Sequence, residues 1–224
     1  MSKPTTPSSG RKLTVNVKTA KKRSPASAEW LRRQLNDPYV VAAKQQGWRS
    51  RAAFKLLELD DRYKILRPGL RVVDLGAAPG GWTQVAIARG AGAVVGVDLL
   101  PIDPISGSVL IQGDFNDPDM PERLTALMGG KADLILSDMA PNTTGHAATD
   151  HLRIMALAEL AVEFARENLA PDGAFVAKVF QGGSEKAMLD TLKRNFTSVR
   201  HAKPPASRKE SSELYVVATG FRGG

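Results

Sequence analysis

The strongest constraint on this chain is a series of short apolar segments that do not alternate with polar residues, separated by stretches of helical spacing. The apolar segments are Val72–Leu75, Ala93–Asp98, Val109–Ile111, Leu134–Ser137 and Ala174–Phe180, and the helical ones between them are Trp82–Arg89, Pro121–Met128 and His151–Asn168. A strand that is apolar on both faces has to be covered on both faces. In a strand-then-helix alternation, that predicts a parallel sheet between two helical layers. After a further helix over Glu185–Asn195, the segments Ser198–Lys203 and Glu213–Thr219 are joined by Pro204–Ser212 and read as an antiparallel hairpin closing the sheet at its edge. Three helices are expected upstream, over Ala26–Gln34, Pro38–Gln45 and Ser50–Tyr63. In the third, Ala53, Leu56, Leu57 and Tyr63 share a face, while Arg51, Lys55, Glu58 and Arg62 populate the others. The expected fold is therefore α/β and Rossmann-like: a mainly parallel seven-stranded sheet with helices on both faces and no internal repeat.

Charge is distributed unevenly over this plan. Residues 1–64 hold 15 Lys/Arg against 5 Asp/Glu, while the remaining residues hold 16 against 18, so the overall net charge of +8 belongs to the N-terminal quarter. Basic charge concentrated in one segment points to a polyanion, nucleic acid above all. From Met1 to Ser24 the chain is rich in Ser, Thr and Lys, has no acidic residue, and shows only Leu13, Val15 and Val17 as a weak apolar alternation. We expect residues 1–24 to form a disordered basic arm and residues 25–224 a single domain that includes the N-terminal helices, about 25–64. A mitochondrial presequence shares this composition but needs apolar positions at helical spacing, which are missing. The chain has no cysteine, which excludes disulfides, thiolate metal sites and a cysteine nucleophile. It also has no apolar run of about 18 residues and no apolar core of a secretory signal, so cytoplasm is expected, with no membrane partner and no metal.

Asp74-Leu75-Gly76-Ala77-Ala78-Pro79-Gly80-Gly81-Trp82 runs from a strand through a small-residue turn into a helix, at the strand end where α/β sheets bind ligands. A dinucleotide fingerprint would place glycine at positions 76, 78 and 81, but position 78 is Ala and Pro79 constrains the turn. That disfavours a nicotinamide oxidoreductase. Asp74, Gly76 and Gly80 instead resemble the acidic-x-Gly-x-x-x-Gly turn of methyltransferases of this general fold, a resemblance that implies close backbone approach to an amino-acid moiety. The next strand ends at Asp98, where a carboxylate can accept from both hydroxyls of a nucleoside ribose. Asp114, after the third strand, stands where it could accept from an adenine amino group.

Ser137-Asp138-Met139-Ala140-Pro141-Asn142 follows the fourth strand and contains no aromatic residue to grip a planar base, so methylation of a base amino group is disfavoured. The fifth strand places Lys178 inside an apolar run. A buried lysine is rare unless it is paired or functional, so Lys178 carries the most weight of any single residue.

With these segments the sequence resembles the FtsJ-type family of RNA ribose 2′-O-methyltransferases, closest to its bacterial branch acting on large-subunit 23S ribosomal RNA. The resemblance covers roughly Ser24 to Gly220. It runs through Arg49 to Leu56, Asp74 to Trp82, Asp98 to Pro101, Ser137 to Asn142, Lys178 to Gln181 and Glu213 to Gly220. It implies a methyltransferase fold, S-adenosyl-L-methionine as cofactor, and a catalytic Lys-Asp-Lys-Glu set on Lys55, Asp138, Lys178 and Glu213. It further implies cofactor contacts at or beside Asp74, Gly76, Ala77, Pro79, Gly80, Gly81, Trp82, Asp98, Asp114 and Asp138. The implied partner is ribosomal RNA within the large subunit, and a monomer is expected.

Methyl transfer to a ribose hydroxyl is an in-line displacement, so positioning and a proton acceptor matter most. An ordinary lysine, pKa near 10.4, is protonated at neutral pH. Burial and a second cation, Lys55, are expected to push Lys178 toward its neutral form, while Asp138 and Glu213 oppose that shift. Lys178 is then the base or the group that orients the hydroxyl, Asp138 its partner, and Lys55 with Glu213 the substrate-positioning pair. Arg49, Arg51 and Arg62, on or beside the Lys55 helix, and Arg208, in the basic loop before Glu213, are expected to track RNA phosphates. RNA is favoured over DNA because the acceptor hydroxyl exists only there. The same site acting on tRNA or an mRNA cap is one alternative, and a non-catalytic ribosome assembly factor is another.

Overall fold

The computed structural model describes residues 19, 24–141, 145–180 and 186–223, with nothing assigned to the side chains of residues 26, 30, 147 and 148. The expected basic arm, apart from Thr19 and Ser24, lies outside these residues, as do Asn142, Gln181 and Glu185. Seven strands form one sheet: β1 (Arg71–Leu75), β2 (Ala93–Asp98), β3 (Ser108–Gln112), β4 (Ala132–Ser137), β5 (Leu169–Phe180), β6 (Phe196–Ala202) and β7 (Glu213–Phe221), in the order β3-β2-β1-β4-β5-β7-β6. The first five are parallel. β7 runs antiparallel to both β5 and β6, so the closing pair is antiparallel as expected, with β7 slotted inside the sheet and β6 at its edge.

The described helices are α1 (Pro25–Asn36), α2 (Pro38–Gln46), α3 (Ala52–Tyr63), α4 (Gly81–Ala88), α5 (Met120–Met128), α6 (Ala147–Asn168) and α7 (Lys186–Asn195). Local chemistry sets several of these ends. Asp37 caps α2 by accepting from the Tyr39 N–H at 3.0 Å, Pro38 supplies a preset first-turn dihedral, and Gly47 ends the helix at φ 78°.

Strand residues alternate between two cores, one per sheet face. Val73, Val95, Ile135 and Phe175 pack with Leu124 of α5, Val162 of α6 and Leu192 of α7. Their neighbours Val72, Val94, Leu134 and Val176 pack with Ala43 of α2, Leu56 of α3 and Val85 of α4. A one-residue slip would exchange the two sets, so the double coverage fixes the register. That register brings the carboxyl ends of β1, β2, β4 and β5 to one edge, with Leu75 beside both Val97 and Ser137, and Ser137 beside Ala177. Because β7 is antiparallel, its beginning joins the same edge: Glu213 pairs with Phe180 and Tyr215 with Lys178.

Candidate active site

Side chains from four elements converge at that edge. Lys55 comes from the first turn of α3, Asp138 from the residue after β4, Lys178 from near the end of β5, and Glu213 from the start of β7. Lys178 Nζ lies 2.8 Å from Asp138 Oδ1, donates to the Asp138 carbonyl at 2.9 Å, and sits 4.0 Å from Glu213 Oε2. Lys55 Nζ is 2.8 Å from Glu213 Oε1. A fifth group, which the sequence reading missed, joins the two pairs: the Tyr215 hydroxyl donates to Asp138 Oδ1 at 2.7 Å and accepts from Lys55 Nζ at 3.0 Å. Ser207 donates to Glu213 Oε1 at 2.9 Å from the loop before β7. Tyr215 shares a strand face with Glu213, two residues away, and that spacing was the available signal.

Burial works against the charged form of Lys178, which is only 8% exposed, but the carboxylates of Asp138 and Glu213 outweigh it and hold the ammonium above the ordinary lysine range. Burial likewise opposes the Asp138 carboxylate, yet Lys178, Lys55 and the hydrogen bonds from Lys178 and Tyr215 hold it below the usual carboxylate range. Sequence alone leaves the balance between burial and the neighbouring charges open, and in the folded protein the two carboxylates prevail. Lys55 spends its charge on Glu213 and Tyr215 instead of facing Lys178, so the like-charge repulsion is largely cancelled. Burial, with Asp138 and Glu213, pushes the Tyr215 phenol well above its ordinary value, so it stays a donor.

Beside this cluster a cavity of about 600 Å³ opens between the strand ends and α6. Its lining includes Gly76, Asp98, Asp114 and Asp138 of the predicted cofactor residues, together with Leu99, Leu100, Phe115, Leu157 and Leu160. An apolar cleft of this size with a few convergent carboxylates suits a nucleoside-bearing ligand. Asp98 accepts from the Ala78 and Leu100 N–H groups, one on each oxygen at 2.9 Å, and each oxygen keeps a lone pair for a hydroxyl. Asp114 Oδ1 accepts from the Asn116 N–H at 2.9 Å and from its side-chain amide at 2.7 Å, which lower its pKa and leave the second oxygen open to the cavity.

The other predicted cofactor residues lie around the turn without lining the cavity. Asp74 is wholly buried. Its Oδ2 accepts from Thr83 at 2.7 Å, its Oδ1 has no partner, and burial raises its pKa to about 7. Ala77 is buried and Pro79 is exposed; a Cβ on Gly80 would sit 2.5 Å from Ile105 Cδ1 of the loop after β2, and one on Gly81 2.5 Å from Ser50 Oγ of the segment before α3. Trp82 is buried under α3, where its indole N–H donates to the Ala52 carbonyl at 2.8 Å and its ring lies 5.7 Å from that of Tyr215. It supports the lysine-carboxylate cluster from behind.

Of the four arginines expected at phosphates, three have internal partners. Arg51 pairs with Asp37 at 2.8 Å and donates to the Ala206 carbonyl. Arg208 lies 3.7 Å from the same Asp37, and Arg49 donates to three backbone carbonyls. Arg62 is exposed at the far end of α3, over the Tyr63 ring at 5.2 Å. Among the described residues no cluster of three His, Cys, Asp or Glu is arranged to hold a metal, and no helix is long and apolar enough to cross a membrane.

A seven-stranded methyltransferase-type sheet with a Lys-Asp-Lys-Glu cluster beside a nucleoside-sized cleft defines the class, and comparison with known proteins agrees. The model of the FtsJ-like methyltransferase family matches residues 48–221, and the chain belongs to that family. It is 72% identical to ribosomal RNA large subunit methyltransferase E of Granulibacter bethesdensis, over 96% of this chain and 94% of the relative. It is 67% identical to the protein of the same name in Gluconobacter oxydans, over 95% of this chain and 79% of that one. A solved Plasmodium falciparum structure described as a ribosomal RNA methyltransferase superposes with a TM-score of 0.71 at 31% identity, over 79% of this chain and all of the other.

Proposed function

We propose that this enzyme transfers the methyl group of S-adenosyl-L-methionine to the ribose 2′-hydroxyl of a uridine in 23S ribosomal RNA, at the large subunit or a late stage of its assembly, acting as a monomer in the cytoplasm. The observation that carries this reading is that Asp138 belongs to both the cofactor cleft and the lysine-carboxylate cluster, so a reactive group held in the cleft meets the cluster at one residue. The names of the relatives supply the substrate.

In this reading Asp98 holds the cofactor ribose, Asp114 borders the adenine, and the turn from Gly76 to Gly81 takes the amino-acid end. Asp74, wholly buried beneath that turn, braces it by accepting from Thr83. The cofactor supplies an electrophilic methyl on a sulfonium. Two of the three Lys178 N–H donors are used by Asp138, and the third orients the 2′-oxygen so that a lone pair faces the methyl. Because Lys178 rests as an ammonium, it would steady negative charge growing on that oxygen, and Asp138, paired with it, would accept the hydroxyl proton as the carbon–oxygen bond forms and the carbon–sulfur bond of the sulfonium breaks to leave a neutral thioether. Lys55 and Glu213 place the ribose, and the basic arm with Arg62 gathers phosphates. Mapping ribose methylation in ribosomal RNA from cells with and without the protein tests this reading. Loss of one 23S uridine methylation is expected, and an unchanged map with a change confined to tRNA would overturn it.

A further inference from the structure

Arg49 stands where charge alone suggested a phosphate contact, yet its donors point into the protein. Nη1 donates to the carbonyls of Pro79 (3.2 Å) and Asp103 (2.6 Å), Nη2 to that of Pro104 (2.8 Å), and the backbone N–H to Gln84 Oε1 (2.7 Å). Pro79 lies in the turn after β1. Asp103 and Pro104 lie in the loop after β2, whose first residues, Asp98 to Leu100, line the cofactor cleft. One planar cation therefore bridges the two loops on which the cleft depends, from a position 30 residues before one and about 55 before the other. A guanidinium can do this because its donors form a rigid planar fork, whereas an ammonium offers one point. The fit is close: Gly80 stands at φ 107°, and a Cβ there would meet Arg49 Nη1 at 3.1 Å and Arg49 Cδ at 3.3 Å. Gln84 secures the other side of the same segment, its amide donating to the Gly47 carbonyl at 3.1 Å.

We propose that Arg49 is a positioning residue for the cofactor: it fixes the spacing of the turn after β1 and the loop after β2, and so makes the N-terminal helical segment part of the S-adenosyl-L-methionine site. The inference rests on the cofactor reading given above. All three carbonyls belong to exposed residues, so water can replace the guanidinium when it is removed. The loops then loosen without unfolding, and the ordering falls on ligand binding.

The test compares wild type, Arg49→Met, which keeps the aliphatic stem against Gly80, and Arg49→Lys. S-adenosyl-L-methionine affinity is measured by calorimetry and large-subunit ribosomal RNA affinity at several KCl concentrations. In Arg49→Met the cofactor Kd is expected to rise on the order of tenfold, with little rescue in Arg49→Lys, a KM for cofactor raised more than turnover at saturation is lowered, and an RNA salt slope equal to that of wild type. An unchanged cofactor Kd overturns the proposal, as does a salt slope shallower by about one phosphate, the mark of a direct RNA contact. Should Arg49→Met fail to give a cooperative melt, Gln84→Ala decides: a weaker cofactor Kd at constant salt slope supports the assignment, and no change overturns it. If wild type itself binds no S-adenosyl-L-methionine, the functional reading falls instead.

Discussion

The lysine-carboxylate cluster and the cofactor cleft share one sheet edge and one residue, Asp138, but they are held together by different means. In the cluster, side chains hold side chains: Lys178 on Asp138, Lys55 on Glu213, with Tyr215 between. In the cleft, main-chain amides hold the carboxylates, Ala78 and Leu100 on Asp98 and Asn116 on Asp114. A network of buried charges balances only as a whole, and removing one member leaves another uncompensated. The Asp114 carboxylate is held below its ordinary pKa by its hydrogen bonds from Asn116 and not by a neighbouring cation. In the proposed reading the cluster sets the reactivity of a hydroxyl, and the cleft grips the cofactor.

That contrast can be broken at several points. The largest effect expected is from Lys178→Ala, which should slow methyl transfer on the order of 10²–10⁴-fold while cofactor affinity stays near wild type. Retention of most activity would move the chemistry away from this lysine. The charge balance also has a pH signature. Lys178, held above its ordinary value, contributes stability that is present below about pH 10.4 and lost as pH rises beyond it. Asp138, held below its ordinary value, contributes stability present above about pH 4 and lost as pH falls.

Asp74 behaves in the opposite sense. With its pKa raised to about 7, the folded protein binds the proton more tightly than the unfolded chain, so stability falls as pH rises from about 4 to 7. Asp74→Asn should flatten that part of the profile, a difference on the order of 4 kcal/mol across the window. Denaturant unfolding of both proteins from pH 4 to 8 measures it, and parallel curves would show that the buried carboxyl is not strained. Next in size is Asp98→Ala, expected to weaken S-adenosyl-L-methionine binding by about 1.5–3 kcal/mol while leaving the Lys178–Asp138 pair intact. Unchanged cofactor affinity would remove Asp98 from the cleft's grip. The smallest effect is expected from deleting residues 1–23, which carry seven Lys/Arg. RNA binding should weaken and its salt dependence become shallower, with cofactor affinity constant. An unaltered slope would make the arm a solvated tail.

How far the sequence could be read differs between these regions for physical reasons. The parallel strands were legible because a segment covered on both faces must be apolar throughout. The first residues of β5 were not, because Pro171-Asp172-Gly173 reads as a turn, and Asp172 does take φ 61° inside the strand. Lys178 stood out because its charge contradicts its surroundings. Tyr215 did not, since an aromatic in an apolar strand looks like core; its spacing from Glu213 puts it on the same face, and the partners of its hydroxyl show what it does there. The arginines show the limit most plainly. Composition reports that Arg49, Arg51 and Arg208 are charged, but direction is a property of the folded backbone, and here it points them at carbonyls and at Asp37.

The insertion of β7 between β5 and β6 has a consequence for the order of events during synthesis. Glu213 and Tyr215 sit on a strand that enters a gap flanked by segments made earlier, Leu169–Phe180 on one side and Phe196–Ala202 on the other. A nascent chain that has produced Lys55, Asp138 and Lys178 still lacks the carboxylate that neutralises one lysine and the phenol that links them. In the proposed reading, methyl-transfer competence therefore waits for β7, after Lys55, Asp138 and Lys178 have all been made, and a chain that collapses before β7 is added carries two lysines and one aspartate in place of a balanced set.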